Sequence, residues 1–282
     1  MKTVRLLYPD YLSGGLTTYY LGSQILSLLV PENTNQEELK IAIPAPSGKD
    51  YPVEEGITAR SAITDSMKEA YRLLEAANPD KVITLGGNCI VSQAPFDYLH
   101  AKYENVGIIW IDAHPDVTTP ADNYPFAHAM VLGNLLGAGD AKLSSLMKGP
   151  KFKGSDVLYV GLQDLHPYQE AFLKEKGIDF KIQDKAFVED AEILAFMKRF
   201  DHILVHFDID VLDATRFSDT YFANPELTGD GSGSGKMTLE KLASVLALIE
   251  ENSDVVGLTI AEYLPFTAEK LQKLFKGLKI FH

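Results

Sequence analysis

What most restricts the fold of this chain is a series of short apolar runs that are continuous rather than alternating. They occupy residues 4–7, 41–43, 82–85, 106–111, 157–162, 203–207 and 255–260. A strand with one wet face alternates polar and apolar residues. A run that is apolar throughout is buried on both faces, as in a parallel sheet covered by helices. Helical patterns lie between the runs. Residues 60–77 place Ile63, Met67 and Leu74 on one side and stop at Asn78-Pro79, a pair that ends helices. Residues 168–176 stop at Gly177, and Thr238 can cap a helix carrying Leu239, Leu242, Leu246 and Ile249. Strand and helix patterns alternate from Arg60 onward with no interdomain linker. The expectation is one α/β domain over residues 1–282, a parallel sheet with helices on both faces.

At 46% apolar, 282 residues are enough to bury a large core. The formal net charge of -13 argues against a nucleic-acid partner, which demands a basic face. Cys89 is the sole cysteine, so no intrachain disulfide forms, which suits a reducing compartment. The first ten residues lack the basic stretch and apolar core of a signal peptide. No apolar run reaches the ~20 residues needed to cross a bilayer. A cytoplasmic chain with no membrane partner is expected.

Two acidic clusters follow two of the runs. Asp112-Ala113-His114-Pro115-Asp116 comes directly after Val106–Ile111, and Asp208-Ile209-Asp210 directly after residues 203–207. In an open α/β sheet, ligands sit outside the carboxyl ends of strands. If these segments are extended, positions i, i+2 and i+4 project to one side, bringing carboxylates and an imidazole together. Such charges beside an apolar strand are costly without a cation. Four carboxylates and a histidine exceed the needs of one hard ion, so two ions are expected. Asp213, three residues on, reads as a turn or capping acid. Residues 227–235 (LTGDGSGSG) read as a loop over the sheet's edge, either a mobile surface loop or a lid or rim of the pocket.

These motifs have a known counterpart. Gly86-Gly87-Asn88-Cys89-Ile90, the Asp-Ala-His-Pro-Asp segment, His206-Phe207-Asp208-Ile209-Asp210-Val211-Leu212-Asp213 and Glu262-Tyr263-Leu264-Pro265 occur in order from about Lys81 to Pro265. Together they resemble the arginase, agmatinase and formiminoglutamase family of ureohydrolases. The resemblance implies a three-layer α/β/α fold with a mainly parallel sheet of about eight strands. It also implies two divalent ions, usually manganese, holding a hydroxide that attacks a guanidinium or amidine carbon. Asp112 and Asp208 would bridge both ions, His114 and Asp210 would complete one shell, and Asp116 would bind the other ion and steady the hydroxide. His128 would shuttle protons and Glu262 would face the cationic substrate head. A homo-oligomer, trimer or hexamer, is implied as well.

The pattern breaks in places. The family's metal-binding His is Cys89 here, and the Asp beside it is Asn88. Thiolate is soft and manganese(II) hard, so zinc or iron(II) fits a Cys89 ligand better. The alternatives are a single ion at the intact side, or a non-catalytic binding protein on the same scaffold. The Ser before the second cluster is His206, and the Pro after it is Ala214. Arginase holds its amino acid with an acid near the position of His166 and an Asn near that of Thr118. Neither is present, so the expected substrate is a small cationic guanidino or amidino compound other than L-arginine. A binuclear phosphoesterase ranks last, because Gly86-Gly87-Asn88-Cys89 precedes the Asp-x-His segment, the wrong order for that class.

Overall fold

The computed structural model describes residues 1–183, 187–227, 231–278 and 280. Nine strands occur among them: β1 (Thr3–Tyr8), β2 (Glu37–Lys40), β3 (Val53–Glu54), β4 (Ile57–Thr58), β5 (Lys81–Gly86), β6 (Val106–Ile111), β7 (Val157–Val160), β8 (His202–Asp208) and β9 (Val255–Ala261). β3 and β4 form a small antiparallel hairpin, and the other seven form one sheet in the order β2-β1-β5-β9-β8-β6-β7. Every pairing in that sheet is parallel. Seven strands thus stand where the family resemblance suggested about eight.

Helices cover both faces. Ile63, Met67 and Leu74 of Arg60–Ala77, with Phe96 and Leu99 of Gln93–Lys102, pack with Leu6, Ile108 and Leu204. Ile193 and Phe196 of Asp190–Met197, with Leu242, Val245 and Ile249 of Leu239–Asn252, pack with Ile109, Ile111 and Val205. Successive strand residues thus feed opposite layers, each buried Leu, Ile or Phe contributing about 1.5–3 kcal/mol. Among the described residues, no helix is long and apolar enough to cross a membrane.

Local signals held at several points. The helix Arg60–Ala77 ends with Asn78 in the left-handed region at φ 47°, and Thr238 accepts the Lys241 amide as an N-cap. Others did not. The apolar residues 41–43 follow β2 rather than forming it: Ile41 and Ile43 are buried, and Ile41 N donates to Leu7 O. β2 is an edge strand with Glu37, Glu38 and Lys40 exposed, so it has no reason to read as apolar. Leu239, expected inward, opens its helix on the solvent side at 55% exposure. The helix expected from residue 168 starts at Pro167, whose fixed φ suits the first helical position.

Because β5, β9, β8 and β6 are parallel neighbours, their carboxyl ends lie side by side. Cys89, Glu262, Asp208 and Asp112 each stand at or just beyond one of those ends.

Candidate metal centre

The two acidic clusters are built alike, though not as extended segments. Asp112 Oδ1 accepts the amide of His114 at 2.6 Å, and Asp208 Oδ1 accepts the amide of Asp210 at 2.7 Å. Each leading aspartate closes a tight turn on the residue two places on, a local bond that short acids favour. The chain after β8 then enters the 3-10 turn Ile209–Val211, and Asp116 takes a left-handed φ of 52°. Convergence comes from these turns and not from the alternation of a strand. Asp213 accepts both the amide and the hydroxyl of Thr215, the turn-making role expected of it.

The remaining carboxylate oxygens face inward. Trp110 Nε1 donates to Asp112 Oδ2 at 3.0 Å, and Cys89 Sγ lies 2.8 Å from Asp208 Oδ2 and 3.6 Å from Glu262 Oε1. His114 Nδ1 meets Asp210 Oδ2 at 2.8 Å, and its Nε2 donates to Gly233 O at 3.0 Å. The glycine-rich segment therefore touches the site through residues 231–235, whereas residues 228–230 lie outside the described residues. Glu262, also left-handed at φ 62°, is buried, which removes it from the class of surface acids. Its amide donates to Gly87 O, and a Cβ on Gly87 would fall 1.8 Å from Asp10 O, so only glycine lets β1 and β5 approach here. Asn88 points away from the acids, bonded to Ser13 and Asp10.

His128 sits in the turn Ala127–Met130 between two partners, Glu262 Oε1 at 2.9 Å from Nδ1 and Tyr124 Oη at 3.0 Å from Nε2. Burial works against its charged form, but the Glu262 bond and charge outweigh it and raise the pKa. The same contest holds His114 at about 9, burial being overcome by Asp210 and then Asp116. Burial pushes Asp116 up to about 7, and pushes Asp112 and Asp208 well above the usual carboxylate range, neighbouring acids adding to it. Burial followed by the charge of Asp116 raises the Cys89 thiol. Asp210 alone is lowered, because His114 overcomes its burial.

Buried acids this close together are costly unless protons or a cation offset their charge. Four groups of side chains offer ligand atoms within 4.8 Å of one another among the described residues: Cys89, Asp112, Asp116 and His206; Asp112, His114 and Asp210; Asp208, Asp210 and Glu262; and Cys89, His128 and Glu262. Asp112 belongs to the first two. Asp116 Oδ2 and His206 Nε2 are buried without a hydrogen-bond partner, so the donor set fits divalent cations.

The cluster forms the floor of a cavity of about 320 Å³. Its walls are aromatic, with Tyr19, Tyr124, Phe126, Tyr168 and Phe222, and no lysine or arginine lines it among the described residues. Thr118 lines it and bonds Tyr168, whereas His166 stacks on Tyr168 from outside the lining. Sequence reasoning missed Tyr19, Tyr124 and Ser92. Tyr124 stands four residues before His128 in an irregular segment, which no helix or strand template reads.

A model of the Arginase family matches residues 33–275. The chain is 36% identical to the arginase of Entamoeba histolytica over 116 residues, covering 38% of each protein. It is 30% identical to the arginase of Bacillus caldovelox over 187 residues, 60% of this chain and 61% of that one. Both matches span less than two thirds of the relative's length. The crystal structure of Entamoeba histolytica arginase in complex with L-ornithine superposes with a TM-score of 0.78 at 20% identity, over 93% of this chain and 91% of that one. That likeness is one of fold.

Proposed function

This chain belongs to the arginase family, and from that premise we propose that it is a metal-dependent hydrolase cleaving a linear C–N bond of a cationic guanidino or amidino compound. The observation that carries the proposal is the convergence of Asp112, Asp116, Asp208, Asp210, His114 and Cys89 at one buried floor, with His128 and Glu262 beside it. Divalent ions held by those six would supply Lewis acidity and a water of lowered pKa. Asp112, shared between two donor groups, and Asp208, at the end of the neighbouring strand β8, are the bridging ligands in this reading.

The chain's own residues account for the proton movements. Asp116 would steady the attacking water and take its proton. His128, oriented by Glu262 and Tyr124, gives its proton to the departing nitrogen. Water adds to the central carbon and the C–N bond breaks, so a guanidinium yields urea and an amine. The carboxylate of Glu262 favours a cationic head, and the aromatic walls favour an apolar or cationic tail. L-Arginine is disfavoured, since His166 stands where arginase places an acid for the amino group.

The test is release of urea or ammonia from the metal-loaded protein offered alkyl guanidines, arylalkyl guanidines, formamidines and L-arginine. Hydrolysis of a guanidine or amidine without an amino-acid head is expected, with L-arginine the poorer substrate. No turnover of any of them with both ions in place would remove the proposal.

A further inference from the structure

His206 is the least expected polar group in the site. It lies within β8, two residues before Asp208, fully buried, with its ring stacked on Trp110 at 3.7 Å and 8°. The two residues are register partners on adjacent strands, which fixes the ring plane. Ser92 Oγ lies 2.7 Å from Nδ1. Nε2 has no hydrogen-bond partner, and neither has Asp116 Oδ2. Asp112 Oδ2 is 3.6 Å from Nε2, too far for an N–H···O bond. A polar nitrogen sealed among carboxylates is costly unless something engages it.

The separation does suit two donors on one ion. Bonds of about 2.0–2.2 Å opened to the tetrahedral angle place nitrogen and oxygen about 3.4 Å apart. Cys89, Asp112, Asp116 and His206 each bring one donor atom within 4.8 Å of the other three. Resting on the reading of this site as a metal centre, we propose that His206 Nε2 is a metal ligand, joining Cys89, Asp112, Asp116 and the bridging Asp208 around an ion that is zinc or iron(II). The imidazole that the family resemblance would put at position 89 is thereby supplied from β8, at the position of the family's Ser. Ser92 sets the tautomer: by accepting the Nδ1 proton it leaves the Nε2 lone pair facing the cluster. One sulfur and one nitrogen among the carboxylates suit a borderline metal better than manganese(II). Sulfur binds as thiolate, so uptake of this ion releases the Cys89 proton to solvent.

Cobalt(II) is the probe. In the intact protein, titration should develop a thiolate-to-cobalt charge-transfer band. In His206→Phe, which keeps an aromatic ring on Trp110, that band should need roughly 100-fold more cobalt, and in Ser92→Ala roughly tenfold more. The sulfur-free ion on Asp112, His114, Asp208 and Asp210 should be taken up as before. X-ray absorption of the unmutated cobalt protein requires no variant to fold, and should show an imidazole on each ion. An unchanged band and midpoint in His206→Phe, or imidazole on one ion only, overturns the assignment and leaves the metal centre standing. Absence of any cobalt binding by the unmutated protein overturns the metal centre too.

Discussion

Stripping divalent metal should reverse the direction in which pH acts on stability between about pH 7 and pH 9. His114 carries the effect. In the folded, metal-free protein its pKa stands at about 9 against an ordinary 6.5, the carboxylates of Asp210 and Asp116 having overcome its burial. The unfolded chain gives up that proton near pH 6.5, so between the two values the folded state binds the extra proton. A raised histidine of this kind stabilises below the lower value and loses its contribution as pH climbs through the upper one. The interval from 6.5 to about 9 corresponds to about 3 kcal/mol, reduced to about 2 kcal/mol by the ring's partial exposure of 22%. Asp112 and Asp208, held protonated by burial and neighbouring charge, act in the same sense. His206 does not interfere. Burial lowers it to about 3, so its stabilising contribution rises between about 3 and 6.5 and adds no slope beyond. With metal bound the sign inverts, because the ligands must be deprotonated and ion binding strengthens as pH rises. Urea melts at several pH values, with and without chelator, measure both slopes. His114→Asn should flatten the metal-free slope. A metal-free protein that keeps or gains stability across this window, or a slope indifferent to His114→Asn, would refute the reasoning.

Two further outcomes follow from the proposed chemistry. Glu262→Gln removes a charge-assisted bond to His128 worth about 1.5–3 kcal/mol, so kcat/KM for a cationic substrate should fall about 100-fold. Burial then acts on His128 without its counter-charge, so the alkaline limb of the rate profile should move to lower pH; an unchanged profile rejects the pairing. Asp112→Ala or Asp208→Ala should empty both metal positions, and full metal content by mass spectrometry in either variant rejects the shared-ligand arrangement.

The architecture was legible because double-sided burial leaves its mark on every central strand. β5, β6, β8 and β9 each read as an apolar run, and three of them run straight into a residue of the site. β2 escaped because Glu37, Glu38 and Lys40 face water, whereas β7, at the other edge, is mostly buried. The acids of the site were legible as residue types, but their convergence was assigned to the wrong cause. The Asp112 and Asp208 turns and the left-handed Asp116 are decided by bonds to neighbouring backbone, which a strand template ignores. His206 was visible as a departure only. Its meaning depends on Trp110, its register partner across the strand pair, and on Ser92 from the turn after β5, partners that only the tertiary fold brings together.

Asp116 and Glu262 both occupy backbone geometry that a side chain resists, at a cost of order 1–3 kcal/mol each. Aspartate tolerates that geometry through local bonds and glutamate less so. Glycine would relieve either position, and with it the crowding of acids on the floor. Laboratory evolution rewarding heat tolerance alone would therefore drift toward glycine at both positions, and yield hardy proteins that have lost their chemistry. Selection for turnover has to be imposed alongside, because at these two positions robustness and activity pull in opposite directions.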